Sequence, residues 1–132
     1  MRVISVHYST VVDTQAAEGR AGEHSVIADR PPGVAGGKGL GFNGGQLLAL
    51  AIGGCLCNDL RYVAHARGVA LEPFELTVDV HVDDDGDIAR VSARVDATGQ
   101  RERVAQLLDE AVAASTIVRA VMRGAPIDVA LA

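Results

Sequence analysis

Cys55 and Cys57 are the only thiols in the chain, two residues apart in Ala51-Ile-Gly-Gly-Cys-Leu-Cys-Asn-Asp-Leu60. Such a cluster could be a metal clip, a disulfide, a reactive thiol or a packing seam. The apolar run around it reads as helix, and residues two apart on a helix point about 200° from each other. Their β-carbons are then too far apart to bridge without unwinding the helix. One metal ion could not readily take both either, so each thiol is judged alone. The bland reading of each is a buried small hydrophobe. Chemistry would require a thiolate, the nucleophilic form. Cys55 lies about three turns into the helix, beyond the reach of the N-terminal dipole. Asp59, one turn further on, would oppose ionisation. A cation must therefore come from elsewhere in the chain.

Three other patterns are weaker than they look. Gly39-x-Gly41-x-x-Gly44 matches a dinucleotide fingerprint, yet Pro31-Pro32 and glycines stand where a strand is required. Gly36-Gly37-Lys38-Gly39 lacks the hydroxyl residue that follows the lysine of a phosphate loop. In Asp83-Asp84-Asp85-Gly86-Asp87, placing Gly86 sixth would make His81 the first calcium ligand and Ser92 the twelfth, so a solvated turn is expected. His7, His24, His65 and His81 show no metal spacing, and each reads as exposed or locally bonded. No metal and no cofactor is expected.

The elements that must position these groups follow from periodicity. Arg2 to Val12 alternates with many β-branched residues and reads as a strand. A polar turn is expected around Ala17–Gly22, then a second strand over His24 to Ala28. Pro31-Pro32 end it, and the glycine-rich stretch 33–45 forms no regular element. Asn43 and Gln46 suit a capping box for a helix running to about Arg67, with Gly68 as its C-terminal cap. The first three turns are apolar on every side, which predicts a central, buried helix. Gly53-Gly54 within it costs roughly 1 kcal/mol per residue against alanine. Close approach of another backbone, in an inter-helical seam, is the expected compensation.

Phe74 to Asp83 alternates as a half-buried strand, Asp84-Asp85-Gly86 turns it, and Val91, Ala93 and Val95 continue on the return strand. Val104 to Ser115 keeps helical spacing, a break or shorter helix carries Ile117 to Arg123, and Ile127 to Leu131 reads as a closing strand. The order β-β-α-β-β-α-β makes an α+β chain with mostly antiparallel pairing, a single domain over residues 1–132.

Composition narrows the class. The 132 residues are 48% hydrophobic and 22% charged, a soluble globular balance. Aromatics are 3%, so Val, Leu, Ile and Ala must build the core, and oligomerisation would add burial. A net charge of −5 offers no basic stripe and argues against nucleic acid. The apolar run Leu47 to Cys57 is too short to span a bilayer, and Asn58, Asp59 and Arg61 close it. The N-terminus shows no secretory apolar region, and two cysteines without an export signal fit a reducing cytoplasm.

Taken together, these residues resemble the OsmC/Ohr family of thiol-dependent peroxide reductases. In that family a glycine-rich loop leads to Asn-Pro-Glu-Glu/Gln-Leu-x-Ala-Ala-x-x-x-x-Cys, which opens the central helix. Here Asn43-Gly-Gly-Gln-Leu-Leu-Ala-Leu-Ala-Ile-Gly-Gly-Cys55 keeps the asparagine-to-cysteine spacing. Gly19-Arg20-Ala21-Gly22 looks like the family's Gly-Arg-x-Gly, whose arginine sits beside the thiolate. The resemblance implies an OsmC-like fold, with antiparallel sheets packed around a central buried helix in an intertwined homodimer. It also implies that Cys55 and Arg20 are catalytic. Gln46, Asp59 and Cys57 are accessory candidates. The family's proline and first glutamate fall on Gly44 and Gly45, so the carboxylate that holds the arginine is missing. The family's resolving cysteine falls near Ser115-Thr116, and at Ser115 it is replaced by a hydroxyl.

Two functions follow. In the first, Cys55 attacks a small organic hydroperoxide, Arg20 stabilises the thiolate, Asp59 holds Arg20 in place of the lost glutamate, and an external thiol completes the cycle. In the second, a non-catalytic dimer binds a small apolar ligand or senses oxidation.

Overall fold

The alternating N-terminal segment pairs over only four of its residues. In the computed structural model, which describes all of Met1–Ala132, β1 is His7–Thr10, and it lies antiparallel to β2, Ala17–Ala21. β2 in turn pairs antiparallel with β3, His24–Ala28, giving the sheet order β1-β2-β3. The expected polar turn at Ala17–Gly22 is thus corrected to the central strand of this sheet. Its Ala-Glu-Gly-Arg-Ala sequence has poor strand propensity, and pairing on both edges overrides it. The expected strand from Arg2 shortens because β2 offers partners only to residues 7–10. Ahead of them, Val3, Ile4 and Val6 stay exposed.

The chain gathers into two units, Met1–Leu48 and Ala49–Ala132. In the first, the segment after β3 is irregular, as its glycines and prolines require, but it is tightly ordered around one carboxylate. Asp29 is buried and accepts from the backbone amides of Leu40 (3.0 Å), Lys38 (3.1 Å) and Arg30 (2.8 Å) and from the Arg30 guanidinium (3.0 Å). The Leu40 amide is foremost in holding its carboxyl below the usual aspartate range. Burial opposes it, and the Lys38 and Arg30 donors reinforce it. The loop returns so closely that a β-carbon on Gly41 would clash with the Ile27 carbonyl oxygen. Gly41 therefore serves a backbone contact with β3, and the apparent nucleotide fingerprint is a packing pattern.

The division falls inside α1, Gly44–Ala66. Its start is the expected capping box: the Gln46 amide donates to Asn43 Oδ1 (2.9 Å), and the Asn43 amide donates to Gln46 Oε1 (3.0 Å). Its end is the expected cap, with Gly68 at φ +65°. All-round burial is not observed. Ile52, Gly53, Leu56, Leu60, Val63 and Ala64 form one buried stripe, while Leu50 and Tyr62 are exposed. Over its 23 residues α1 reaches a mean hydropathy of 1.4 in its most apolar window. By length and composition it could cross a membrane, although the shorter run Leu47–Cys57 could not. A soluble protein's core helix has the same composition.

In the second unit, β4 (Glu75–Val82) and β5 (Ile88–Asp96) form an antiparallel pair with an irregularity at His81/Val82. The acidic turn between them is an internal cap: Asp83 accepts from the amides of Asp85 (3.0 Å) and Asp87 (2.9 Å). A β-carbon on Gly53 would meet Val78 Cγ2 at 3.1 Å and Leu76 Cδ2 at 3.3 Å. The expected inter-helical seam is corrected to a contact with side chains of β4, and Gly54 faces open space. α2, Arg101–Ala114, supplies Val104, Leu107 and Ala111 to a core shared with Leu60, Val63 and Ala64. Leu60 is fully buried, and truncating such a leucine costs about 2–5 kcal/mol. Gln100 fastens the entry to α2, donating to the carbonyls of Glu72 (3.0 Å) and Pro73 (3.2 Å) and accepting from the Glu72 amide (3.0 Å).

α3, Thr116–Arg123, follows directly as the expected shorter helix. The closing strand over Ile127 to Leu131 is not formed. Ile127, Val129 and Leu131 are exposed and have no ladder partner in the chain. The observed order is β-β-β-α-β-β-α-α, an α+β fold of two antiparallel sheets and three helices.

Asp29→Asn should lower stability at pH 7, because the amide brings no charge to its four donors. The native carboxyl titrates low, so the wild-type advantage is fully present above the ordinary aspartate value of about 3.9. It is lost as pH falls through the lower folded value. Urea unfolding of both chains should therefore show a gap at pH 7 that closes in strong acid.

Candidate functional site

One turn of α1 separates Cys55 from Asp59, so both side chains leave the helix on the same side. Cys57 leaves on nearly the opposite side, and both thiols are free and half-buried. The third participant comes from sixty residues away. Ser115 stands at the break between α2 and α3 with an extended backbone, φ −67° and ψ 113°, and is completely buried. The break has a local cause. Ser115 is the N-cap of α3, its Oγ accepting from the Val118 amide at 3.4 Å.

The three groups form a directed chain. Ser115 Oγ donates to Cys55 Sγ at 3.2 Å, and Cys55 Sγ donates to Asp59 Oδ2 at 3.2 Å. A hydroxyl carries one proton. Ser115 already accepts from Val118, so that proton is directed at the sulfur and the thiol proton is directed at the carboxylate. Ser115, expected to stand at the resolving position, is thus in direct contact with Cys55 through its hydroxyl.

The remaining expected residues fall as follows. Arg20 lies on β2 with 61% of its side chain exposed and is ion-paired to Glu18, two residues back along the same strand face. Exposed pairs of this kind contribute about 0–1 kcal/mol, so Glu18 is a weak hold on the arginine. Gln46 is engaged in the capping box and has a structural role. At Gly45, where the family carries glutamate, an added β-carbon would meet only Asn43 Oδ1, at 3.5 Å. At Gly44 it would meet nothing within 4 Å, so backbone crowding does not force the loss of the proline and glutamate. No three His, Cys, Asp or Glu side chains converge as metal ligands. A groove of about 720 Å³ lies between the ends of β4 and β5 and α2, lined by Glu75, Thr77, Arg94, Asp96 and Arg101 among others, and does not include Cys55.

Sequence reasoning missed two features. Asp29 organises the glycine-rich loop, and an aspartate directly before Arg-Pro-Pro and a glycine run was the available signal. The hydrogen bond of Asp59 to the Cys55 thiol was the other; the i, i+4 spacing could have shown it.

Residues 36–130 match the family described as OsmC-like protein. That segment contains Cys55, Asp59 and Ser115 and begins after Arg20. No curated protein is similar in sequence. The fold is similar to that of a hypothetical protein from Aquifex aeolicus VF5, with a TM-score of 0.72 and 11% identity over 94% of this chain and 90% of that one. It is also similar to an organic hydroperoxide resistance protein OsmC from Legionella pneumophila, with a TM-score of 0.63 and 19% identity over 94% and 93%. The organic hydroperoxide resistance protein OhrB of Bacillus subtilis aligns with a TM-score of 0.61 and 19% identity over 93% and 92%. At these identities the solved structures speak for the fold alone, while the sequence match covers well over half of the chain: it belongs to the OsmC-like protein family.

Proposed function

We propose that the chain reduces small organic hydroperoxides through Cys55, as a one-cysteine enzyme of oxidative-stress defence in the cytoplasm. The observation that carries this reading is the Cys55 sulfur held between a buried hydroxyl and a carboxylate, within the segment that matches the family. Two of the structural relatives named above are themselves organic hydroperoxide resistance proteins. In the reaction the sulfur bonds to the terminal peroxide oxygen, the O–O bond breaks, and an alcohol departs, leaving a sulfenic acid. With serine at position 115 there is no thiol at that contact to condense with it. One external thiol therefore displaces water to form a mixed disulfide, and a second releases Cys55 as the thiol. Arg20 is the cation assigned to the thiolate, and leaving Glu18 for that role sacrifices only a weak surface pair.

The working unit in this proposal is an intertwined homodimer. Supporting it are the apolar alternating segments at both chain ends, Val3, Ile4 and Val6 and Ile127, Val129 and Leu131, which find no ladder within one chain. Leu50 and Tyr62 on α1 add apolar surface that a second copy would cover.

A non-catalytic dimer that binds a small apolar ligand or senses oxidation is the second reading. It is favoured by Arg20 being engaged with Glu18, together with glycine at 45 and serine at 115.

Limiting organic hydroperoxide should add one oxygen to Cys55 and leave Cys57 unmodified, as read by peptide mass spectrometry, and excess should add a second. Ser115→Cys should turn the first product into a disulfide with Cys55. That substitution also weakens the α3 cap by about 1 kcal/mol. If wild-type Cys55 oxidises no faster than a free cysteine peptide, the enzymatic reading fails and the binding reading stands.

Light scattering at micromolar concentration should return twice the chain mass. Deleting residues 127–132 should weaken that association, and a stable full-length monomer would refute the dimer.

A further inference from the structure

The hydrogen-bond directions around Cys55 assign a task to Asp59 beyond holding an arginine. The Ser115 hydroxyl accepts from the Val118 amide and directs its only proton at the sulfur, so the sulfur's own proton lies on the line to Asp59 Oδ2 at 3.2 Å. Asp59 is half-buried, so its carboxylate serves the thiol while remaining open to a molecule arriving from outside. We propose that Asp59 is a proton shuttle: it takes the thiol proton as Cys55 attacks a hydroperoxide and delivers it to the departing alkoxide. This deepens the reductase reading and rests on it.

The step balances without any further reactant. The Cys55 sulfur donates an electron pair to the terminal oxygen of ROOH and forms the S–O bond. The O–O bond breaks, with its pair leaving on RO⁻. The S–H proton passes to Asp59 and from there to the leaving oxygen while the O–O bond is breaking, giving ROH, a Cys55 sulfenic acid and a regenerated carboxylate. Sulfur is oxidised by two electrons and the peroxide is reduced by two.

A carboxylate suits both halves of this transfer. A thiol becomes strongly acidic as its sulfur gives up electron density, so even a weak base accepts the proton at that moment. An alkoxide is a far stronger base than a carboxylate and takes the proton back at once. Positioned acid–base groups of this kind contribute roughly 10²–10⁴-fold to rate. The Ser115 hydroxyl keeps the sulfur lone pair oriented and hydrogen-bonded as charge develops on it. An electrophile whose leaving group needs no proton does not call on this transfer.

That contrast supplies the test on the full-length protein. The rate of Cys55 oxidation by cumene hydroperoxide and the rate of alkylation by iodoacetamide are measured for wild type, Asp59→Asn and Asp59→Glu. Asp59→Asn should slow oxidation by about 10²-fold while leaving alkylation unchanged or faster, and Asp59→Glu should recover part of the oxidation rate. A merely structural role would slow both reactions together, and that result would overturn the shuttle. Wild type alone provides a second readout that does not depend on any variant folding. Across hydroperoxides whose alcohols differ in acidity, a shuttle predicts nearly equal rates, and a steep dependence would refute it. A wild type no faster than a free cysteine peptide sinks the reductase reading and the shuttle with it. A fast wild type matched by Asp59→Asn sinks the shuttle alone.

Discussion

A serine hydroxyl with no solvent exposure, donating to a sulfur sixty residues earlier in the chain, is the contact on which the Cys55 site depends. Ser115 reaches Cys55 because α2 stops at Ala114 and the backbone extends for one residue before α3 begins. The core of the second unit sets that stopping place. Val104, Leu107 and Ala111 pack with Leu60, Val63 and Ala64, which fixes α2 beside α1 within that unit. A buried hydroxyl without partners would be costly. Here it has two, one on each side: the same oxygen caps the start of α3 and donates to the Cys55 sulfur.

The first unit is organised by a different polar centre. Asp29 draws three amides and a guanidinium onto one carboxylate and so gives a fixed path to a segment with too many glycines and prolines for a regular element. The path ends at Asn43, whose reciprocal bonds with Gln46 set the first turn of α1. Carboxylate, loop and capping box therefore act in series, and the start of α1 is determined by polar groups before any apolar residue contributes. The glycines in this series answer to backbone proximity, as Gly41 does against Ile27.

The chemistry of the site departs from its family in a consistent direction. A family member with a second cysteine at position 115 would carry its own resolving thiol. A hydroxyl there keeps the hydrogen bond and removes the redox partner. A glutamate at position 45 would supply a carboxylate from the start of α1. Glycine removes it, although the backbone leaves room for a side chain. Asp59 places a carboxylate on the sulfur itself. The Cys55 sulfur thus has a hydroxyl that donates to it and a carboxylate that accepts from it.

Much of this was legible in sequence because it rests on local rules. The capping box, the C-terminal glycine of α1, the β4–β5 hairpin and the amphipathic α2 each depend on spacing within a few residues. What sequence could not carry was anything decided by a neighbour far along the chain. Ala17–Ala21 looked like a turn because its side chains are small or charged, yet two flanking strands make it the centre of a sheet. Arg2–Val6 and Ile127–Leu131 alternate as strands do, but alternation supplies only one half of a ladder. The glycine pair on α1 looked like a single seam, and only the position of Leu76 and Val78 separates Gly53, which is packed, from Gly54, which is open. Residue types and periods determined which segments would fold and where the thiol would stand. Tertiary structure decided which groups meet that thiol, because a hydrogen bond depends on distances of a few ångströms that spacing along the chain does not encode.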